Sequence, residues 1–206
     1  PDVERITFTG ESGTGKIISK CAAENLIPVS LELGGKGANI VFDDADIDNA
    51  VYWAVQAIFR NAGQVCLAGS RLYVQSGIYD EFMRRYKEAA EAMVKGDPKD
   101  PSTEFPLALA SEEHFIKVTS FLDEKSRAGG RILTGGQGEG WSVNPTIIVD
   151  APSNARVILE EIFGPVLSVV RVDTLEEAID LVNAQAFANG AAIFTSSGGA
   201  ARRFEE

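Results

Sequence analysis

What most constrains the fold is the alternation of short apolar runs with amphipathic stretches. Thr146-Ile147-Ile148-Val149, Val166-Leu167-Ser168-Val169-Val170 and Ala192-Ile193-Phe194-Thr195 read as buried strands of a mainly parallel sheet. Between the last two, Leu175, Ala178, Ile179 and Val182 fall on one face of a helix from Leu175 to Asn183. The same rhythm holds upstream. Residues 5–24 read as a strand from Arg5 to Thr9, a glycine turn from Gly10 to Gly15 and a helix from Lys16 to about Glu24. Pro28 to Leu33 is a second strand, broken by Gly34-Gly35, and Ala38 to Phe42 a third, ended by Asp43-Asp44-Ala45-Asp46. Ile47 to Phe59 is a helix with Val51, Ala54, Val55 and Ile58 on one face; Leu72-Tyr73-Val74 is a strand and Ile78 to Val94 an amphipathic helix. A loop at 96–101, a helix from Glu112 to Ala128, a strand at Arg131-Ile132-Leu133 and a glycine-rich surface loop from Gly135 to Gly140 complete the prediction. Strands alternating with helices in this way predict an α/β fold.

Charge and cysteine content narrow the partners. The net charge is −11, with acids spread along the chain, which argues against nucleic acid or an anionic membrane as a main partner. No apolar run approaches the roughly 20 residues needed to span a bilayer, and no signal peptide opens the sequence. Two cysteines, Cys21 and Cys66, make neither a disulfide framework nor a zinc site, so no metal is expected and a cytoplasmic location is the default. The first residue is Pro1, and the sequence stops at Phe204-Glu205-Glu206 inside a predicted helix. The expectation is a piece of a longer protein.

Three stretches carry chemistry. Asn61-Ala62-Gly63-Gln64-Val65-Cys66-Leu67-Ala68-Gly69-Ser70-Arg71 places a thiol in a loop of small residues, between a helix and a strand. Its glycines permit sharp bends and close approach of a ligand, so Cys66 is either a packed thiol or a nucleophile. Glu32 is the odd residue in the apolar strand Val29-Ser30-Leu31-Glu32-Leu33. It reads either as the solvated face of that strand or as a base at a strand's carboxyl end, where shielding from water would raise its pKa. Glu160-Glu161-Ile162-Phe163-Gly164-Pro165-Val166 is either a helix end and turn or a carboxylate for ribose hydroxyls beside an aromatic wall. Gly10-Glu11-Ser12-Gly13-Thr14-Gly15-Lys16 fits the phosphate-loop pattern, which makes a nucleotide-binding P-loop protein the competing class. Against that class, Ile17 stands where magnesium needs a hydroxyl; a dinucleotide pyrophosphate needs none.

Taken in order, Phe8-Thr9-Gly10 with Gly15, Leu31-Glu32-Leu33-Gly34-Gly35-Lys36, Gly63-Gln64-Val65-Cys66 with Ala68-Gly69-Ser70-Arg71, Asn144-Pro145-Thr146 and Glu160-Glu161-Ile162-Phe163-Gly164-Pro165-Val166 resemble the aldehyde dehydrogenase superfamily. The likeness runs along essentially the whole sequence. It implies a parallel-sheet catalytic domain of that type, residues 35–206, preceded by the last β-α-β unit of a Rossmann-like cofactor domain, residues 1–34. It further implies Cys66 as nucleophile, Glu32 as base, and NAD or NADP held by Gly10, Glu11, Gly15, the backbone at Leu33, Glu161 and Phe163. A small-molecule aldehyde would be the substrate, and the apolar Leu67 beside the nucleophile leans toward an aliphatic or semialdehyde chain. A full-length parent would be a homodimer or homotetramer. Within the superfamily, Glu32 points to hydrolysis, since branches that pass the acyl group to coenzyme A typically lack this glutamate, although Asn189-Gly190-Ala191-Ala192-Ile193-Phe194-Thr195 looks most like those branches.

Three departures from the family pattern stand out. Glu11 occupies a position where many members carry serine, and its charge would repel phosphate unless turned outward. Gly37-Ala38 replaces the common Ser-Pro, which is expected to loosen the turn below Glu32. Phe105-Pro106-Leu107-Ala108-Leu109 blurs the usual Gly-Pro-Leu. Leu67, beside the thiol, is expected to line the aldehyde pocket, and the lone His114 to be a surface or rim residue. The 206-residue chain by itself is expected to be an inactive fragment.

Overall fold

The computed structural model describes residues 3–106 and 108–206. Leu107, in the blurred Gly-Pro-Leu stretch, lies outside them. The chain opens with strand β1 (Ile6–Thr9), helix α1 (Ser12–Ala23) and strand β2 (Val29–Glu32). β1 and β2 pair in parallel, Thr9 opposite Glu32, as a two-stranded sheet of their own. Next come β3 (Ala38–Val41), α2 (Ile47–Phe59), β4 (Arg71–Gln75) and α3 (Tyr79–Ala92). The two-residue strands β5 (Lys95–Gly96) and β6 (Phe105–Pro106) pair with each other across the predicted loop.

The remainder is α4 (Glu112–Thr119), α5 (Glu124–Arg127), β7 (Arg131–Gln137), β8 (Val143–Val149), α6 (Arg156–Leu159), β9 (Val166–Val172), α7 (Leu175–Asn183), β10 (Ala191–Phe194) and α8 (Gly198–Glu205). A six-stranded sheet runs in the order β10-β3-β4-β9-β8-β7, parallel throughout except for the antiparallel β7–β8 pair. The α/β reading from alternating runs is therefore correct.

Successive strand residues point to opposite faces, and both faces of this sheet are covered. On one, Val41, Leu72, Val74 and Ile147 pack with Ala54 and Ile58 of α2 and Phe82 and Tyr86 of α3. On the other, Ile40, Tyr73 and Val172 meet Ala178 of α7, with Phe204 of α8 packed alongside. Ile40, Ile58 and Leu72 are fully buried, each worth about 1.5–3 kcal/mol relative to an exposed position. The Asp46 carboxylate caps α2 by accepting from Asn49 N at 3.1 Å, so the tertiary core and the local cap agree on where the helix starts.

Several expectations need correction. The predicted helix from Glu112 to Ala128 is broken: a tight turn at Ser120–Leu122 and a new cap at Asp123 separate α4 from α5. The glycine-rich loop is partly strand, because β7 continues through Gly135 and Gly136 to Gln137. Gly135, at φ +88°, sits where a Cβ would fall 2.1 Å from Pro145 O, so only glycine permits the β7–β8 bulge there. β10 is not a buried strand. It forms the sheet edge, and Ala191 and Ala192 are exposed. Among the described residues no helix is long and apolar enough to cross a membrane.

Candidate active site

α2 delivers the chain into the thiol loop through an unusual backbone. Asn61, Ala62 and Gly63 follow one another at φ +53°, +53° and +69°, a left-handed run that costs a non-glycine residue about 1–2 kcal/mol. The Asn61 amide answers part of this cost by donating to Gln64 O at 3.2 Å, and Gln64 Oε1 accepts from Ala110 N at 2.9 Å. Gly63 is required for a second reason: a Cβ there would lie 2.2 Å from Gly164 O. The loop is thereby clamped against the stretch that carries Glu161 and Phe163. Strain held in place by surrounding contacts is characteristic of functional loops.

On its other side the thiol loop meets the turn after β2. A Cβ on Gly35 would fall 2.5 Å from Cys66 O, and one on Gly37 2.6 Å from Ala68 O. Asn189 Nδ2 also donates to Cys66 O, at 3.4 Å. The Gly37-Ala38 departure therefore does not loosen this turn; Gly35, Lys36 and Gly37 are buried, and the two glycines pack on the carbonyls of the thiol loop. Glu161 holds the same turn from a third direction, with Oε1 accepting from Gly35 N at 3.0 Å. Gly34 must be glycine for this, since a Cβ would sit 1.9 Å from Glu161 Oε2.

These contacts border a cleft of about 510 Å³ between the carboxyl ends of β1 and β2, the loops that lead into β4 and β9, and α4. Cys66, Glu32, Leu33, Glu161 and Phe163 line it together with Gly10 and Glu11. Cys66 is half-buried and forms no disulfide among the described residues. Its N–H donates to no backbone acceptor among the described residues. Glu32, the last residue of β2, is exposed, so the expected shielding from water is not found: its two-stranded sheet presents that residue to solvent.

Gly15 does not join the cleft. It is buried against Leu33, where a Cβ would meet Leu33 Cδ2 at 2.6 Å, and so serves the packing of α1 on β2. The glycine turn itself is shorter than predicted. α1 begins at Ser12, which makes Gly13, Gly15 and Lys16 helical and removes the open loop that a P-loop needs to surround phosphate. Glu11 turns inward as the helix cap, Oε2 accepting from Thr14 N at 3.1 Å. Hydrogen bonds from the Gly13 and Thr14 amides hold its carboxyl below the usual range. It thus occupies donors that an anion would otherwise use.

Leu67 lies outside the cleft. It is exposed, and its Cδ2 approaches the position a Gly190 Cβ would take, at 3.4 Å. Two further residues line the cleft, one turn apart on α4: His114, read from the sequence as a surface or rim residue, and Lys117, not assigned from it. Ser111 Oγ caps α4 by accepting from His114 N at 3.2 Å. Lys36, within the turn, is fully buried, and its ammonium has no hydrogen-bond partner among the described residues. Burial first, and the nearby Arg71 second, push its pKa down to about 7 against the opposing pull of Glu161 and Glu160.

The cleft and the two sheets around it define an α/β protein with a thiol at the junction of a small parallel unit and a larger one. The sequence model of the Aldehyde dehydrogenase family matches residues 1–206, and the chain belongs to that family. It is 42% identical over 212 residues to a 2-hydroxymuconic semialdehyde dehydrogenase of Pseudomonas sp. (strain CF600), covering 98% of this chain and 43% of that protein. Among solved structures, an NAD-dependent aldehyde dehydrogenase from Sinorhizobium meliloti superposes with a TM-score of 0.96 at 36% identity, over 100% of this chain and 41% of that one. Betaine aldehyde dehydrogenase from Staphylococcus aureus, in complex with NAD+, gives 0.93 at 37% identity, over 98% of this chain and 41% of that one. The chain spans about two-fifths of the length of the curated relatives it matches.

Proposed function

We propose that this chain carries the thiol site of an enzyme that oxidises an aldehyde to the carboxylic acid with NAD(P)+. The observation behind the reading is the single cleft that gathers Cys66, Glu32, Leu33, Glu161 and Phe163 from distant stretches of sequence. The nicotinamide-ribose end of a dinucleotide fits what is there. Phe163 and Leu33 offer apolar surface to a flat ring, and Glu161 keeps Oε2 free of the Gly35 amide to accept from ribose hydroxyls. The helix start is less accommodating for pyrophosphate, because the Glu11 carboxylate already caps it.

In this reading the Cys66 sulfur, as thiolate, adds to the aldehyde carbon and the carbonyl oxygen becomes an oxyanion. The free Cys66 N–H donates to that oxyanion. NAD(P)+, when bound, supplies the hydride acceptor that turns the adduct into a thioester. Glu32, at the cleft's edge, takes a proton from water as its oxygen attacks the acyl carbon; the carbon–sulfur bond breaks, and acid and Cys66 thiolate separate. A glutamate at position 32 favours this hydrolysis over transfer to coenzyme A.

The test uses Cys21, exposed on α1, as an internal reference. Iodoacetamide should label Cys66 faster than Cys21 at pH 7, and NAD+ should alter the rate at Cys66 alone. Equal rates at the two cysteines, with and without NAD+, would overturn the reading. The isolated chain is proposed not to sustain turnover, so steady NADH formation by it would show that this part of the proposal is wrong.

A further inference from the structure

We propose that His114 is a positioning residue that holds Phe163, and with it the aromatic wall of the cleft, in a strained backbone conformation. The inference rests on the reading of Phe163 as that wall. Phe163 has φ +58°, and an aromatic residue in the left-handed region is a genuine outlier that needs external contacts to persist. His114 supplies two of them. Its Nε2 lies 2.7 Å from Phe163 O, and its ring stands edge-on to the Phe163 ring, with centroids 5.8 Å apart and planes at 68°.

A carbonyl oxygen can only accept, so Nε2 carries the proton. The neutral Nε2–H tautomer and the imidazolium both donate there. Substitution of the imidazole is what discriminates. One turn further along α4, Val118 packs on Gly164 so closely that a Cβ there would lie 2.7 Å from Val118 Cγ1. His114 and Val118, four residues apart on one helix face, thus grip consecutive residues of the Phe163-Gly164 bend. Gly63 of the thiol loop also closes on Gly164 O. Without the imidazole, the Phe163 carbonyl loses its donor, and relaxation to negative φ would swing the ring out of the cleft.

The experiment compares His114→Phe, which keeps a ring and removes the donor, with His114→Gln, whose Nε2 can reach the same carbonyl. Backbone chemical shifts of Phe163, or a crystal structure, should report negative φ for His114→Phe and retained positive φ for His114→Gln. NAD+ affinity should fall about tenfold in the first, the factor that roughly 1.4 kcal/mol represents, and stay within about twofold of wild type in the second. Positive φ in the Phe variant, or a Gln variant as impaired as the Phe variant, overturns the proposal. If His114→Phe does not fold, His114→Ala, which adds no bulk, gives the same reading. If the wild-type chain binds no NAD+, the proposed function fails, while the φ of Phe163 in the variants still decides the role of His114.

Discussion

Lys36 is the residue whose chemistry is most directly testable. Below pH 7 the folded and unfolded chains both carry its ammonium, so the folded state bears the full cost of burying an unpartnered charge. Between the folded pKa of about 7 and the ordinary lysine value, the unfolded chain holds a proton that the folded chain has shed. Stability should therefore rise with pH across that window. Lys36→Met should stabilise the chain by roughly 1–4 kcal/mol at pH 6, with the gain shrinking toward pH 10; urea unfolding at several pH values measures it. Gly34→Ala makes the opposite kind of prediction. With a methyl aimed at Glu161 Oε2, the carboxylate must move, and we expect a loss of roughly 1–3 kcal/mol together with weaker NAD+ binding by calorimetry. Cys66, Glu32, Glu161 and Phe163 could be singled out in the sequence because each is chemically odd in its setting. His114 reads only as a surface or rim residue, because its partner is a backbone carbonyl 49 positions away, which no local pattern encodes.

At the scale of elements, the helices of strong period were legible and the irregular ones were not. Ile47–Phe59 and Leu175–Asn183 stand where their apolar faces put them. The break at Ser120–Leu122 arises from contacts that the helical period does not record: Ser126 donates to Ser120 O at 2.8 Å, and Arg156 lies over the Phe121 ring at 4.0 Å. The start of α1 was misplaced because Gly13 and Gly15 read as turn residues, although the Glu11 cap starts the helix ahead of them. That cap carries its own prediction. Glu11→Ser preserves an oxygen acceptor for the helix start and removes the negative charge, so NAD+ binding should tighten several-fold in a titration at low salt; unchanged or weaker binding would show that the carboxylate does not oppose the phosphates. For the grip of α4, Gly164→Ala should cost roughly 1–3 kcal/mol. Part of that cost should vanish in a Val118→Ala background, a coupling that a double-mutant cycle reads.

Over the whole molecule, cohesion is uneven. The six-stranded sheet is covered on both faces, whereas β1 and β2 share only α1 among the elements before β3, and Ile17 and Leu26 stand 63% and 91% exposed there. A two-stranded unit has little independent stability. In hydrogen exchange the amides of β1 and β2 should therefore exchange well before those of β3, β4 and β9. Between these regions of unequal firmness runs the contact of Gly35 and Gly37 with the carbonyls of Cys66 and Ala68. Two backbones that meet with no side chain between them cannot be altered one at a time. For anyone recombining segments among relatives, the acid-bearing turn and the thiol loop form a lock and its keyhole. A chimera that takes them from different parents inherits their chemistry without their fit, while one that moves them as a pair keeps both.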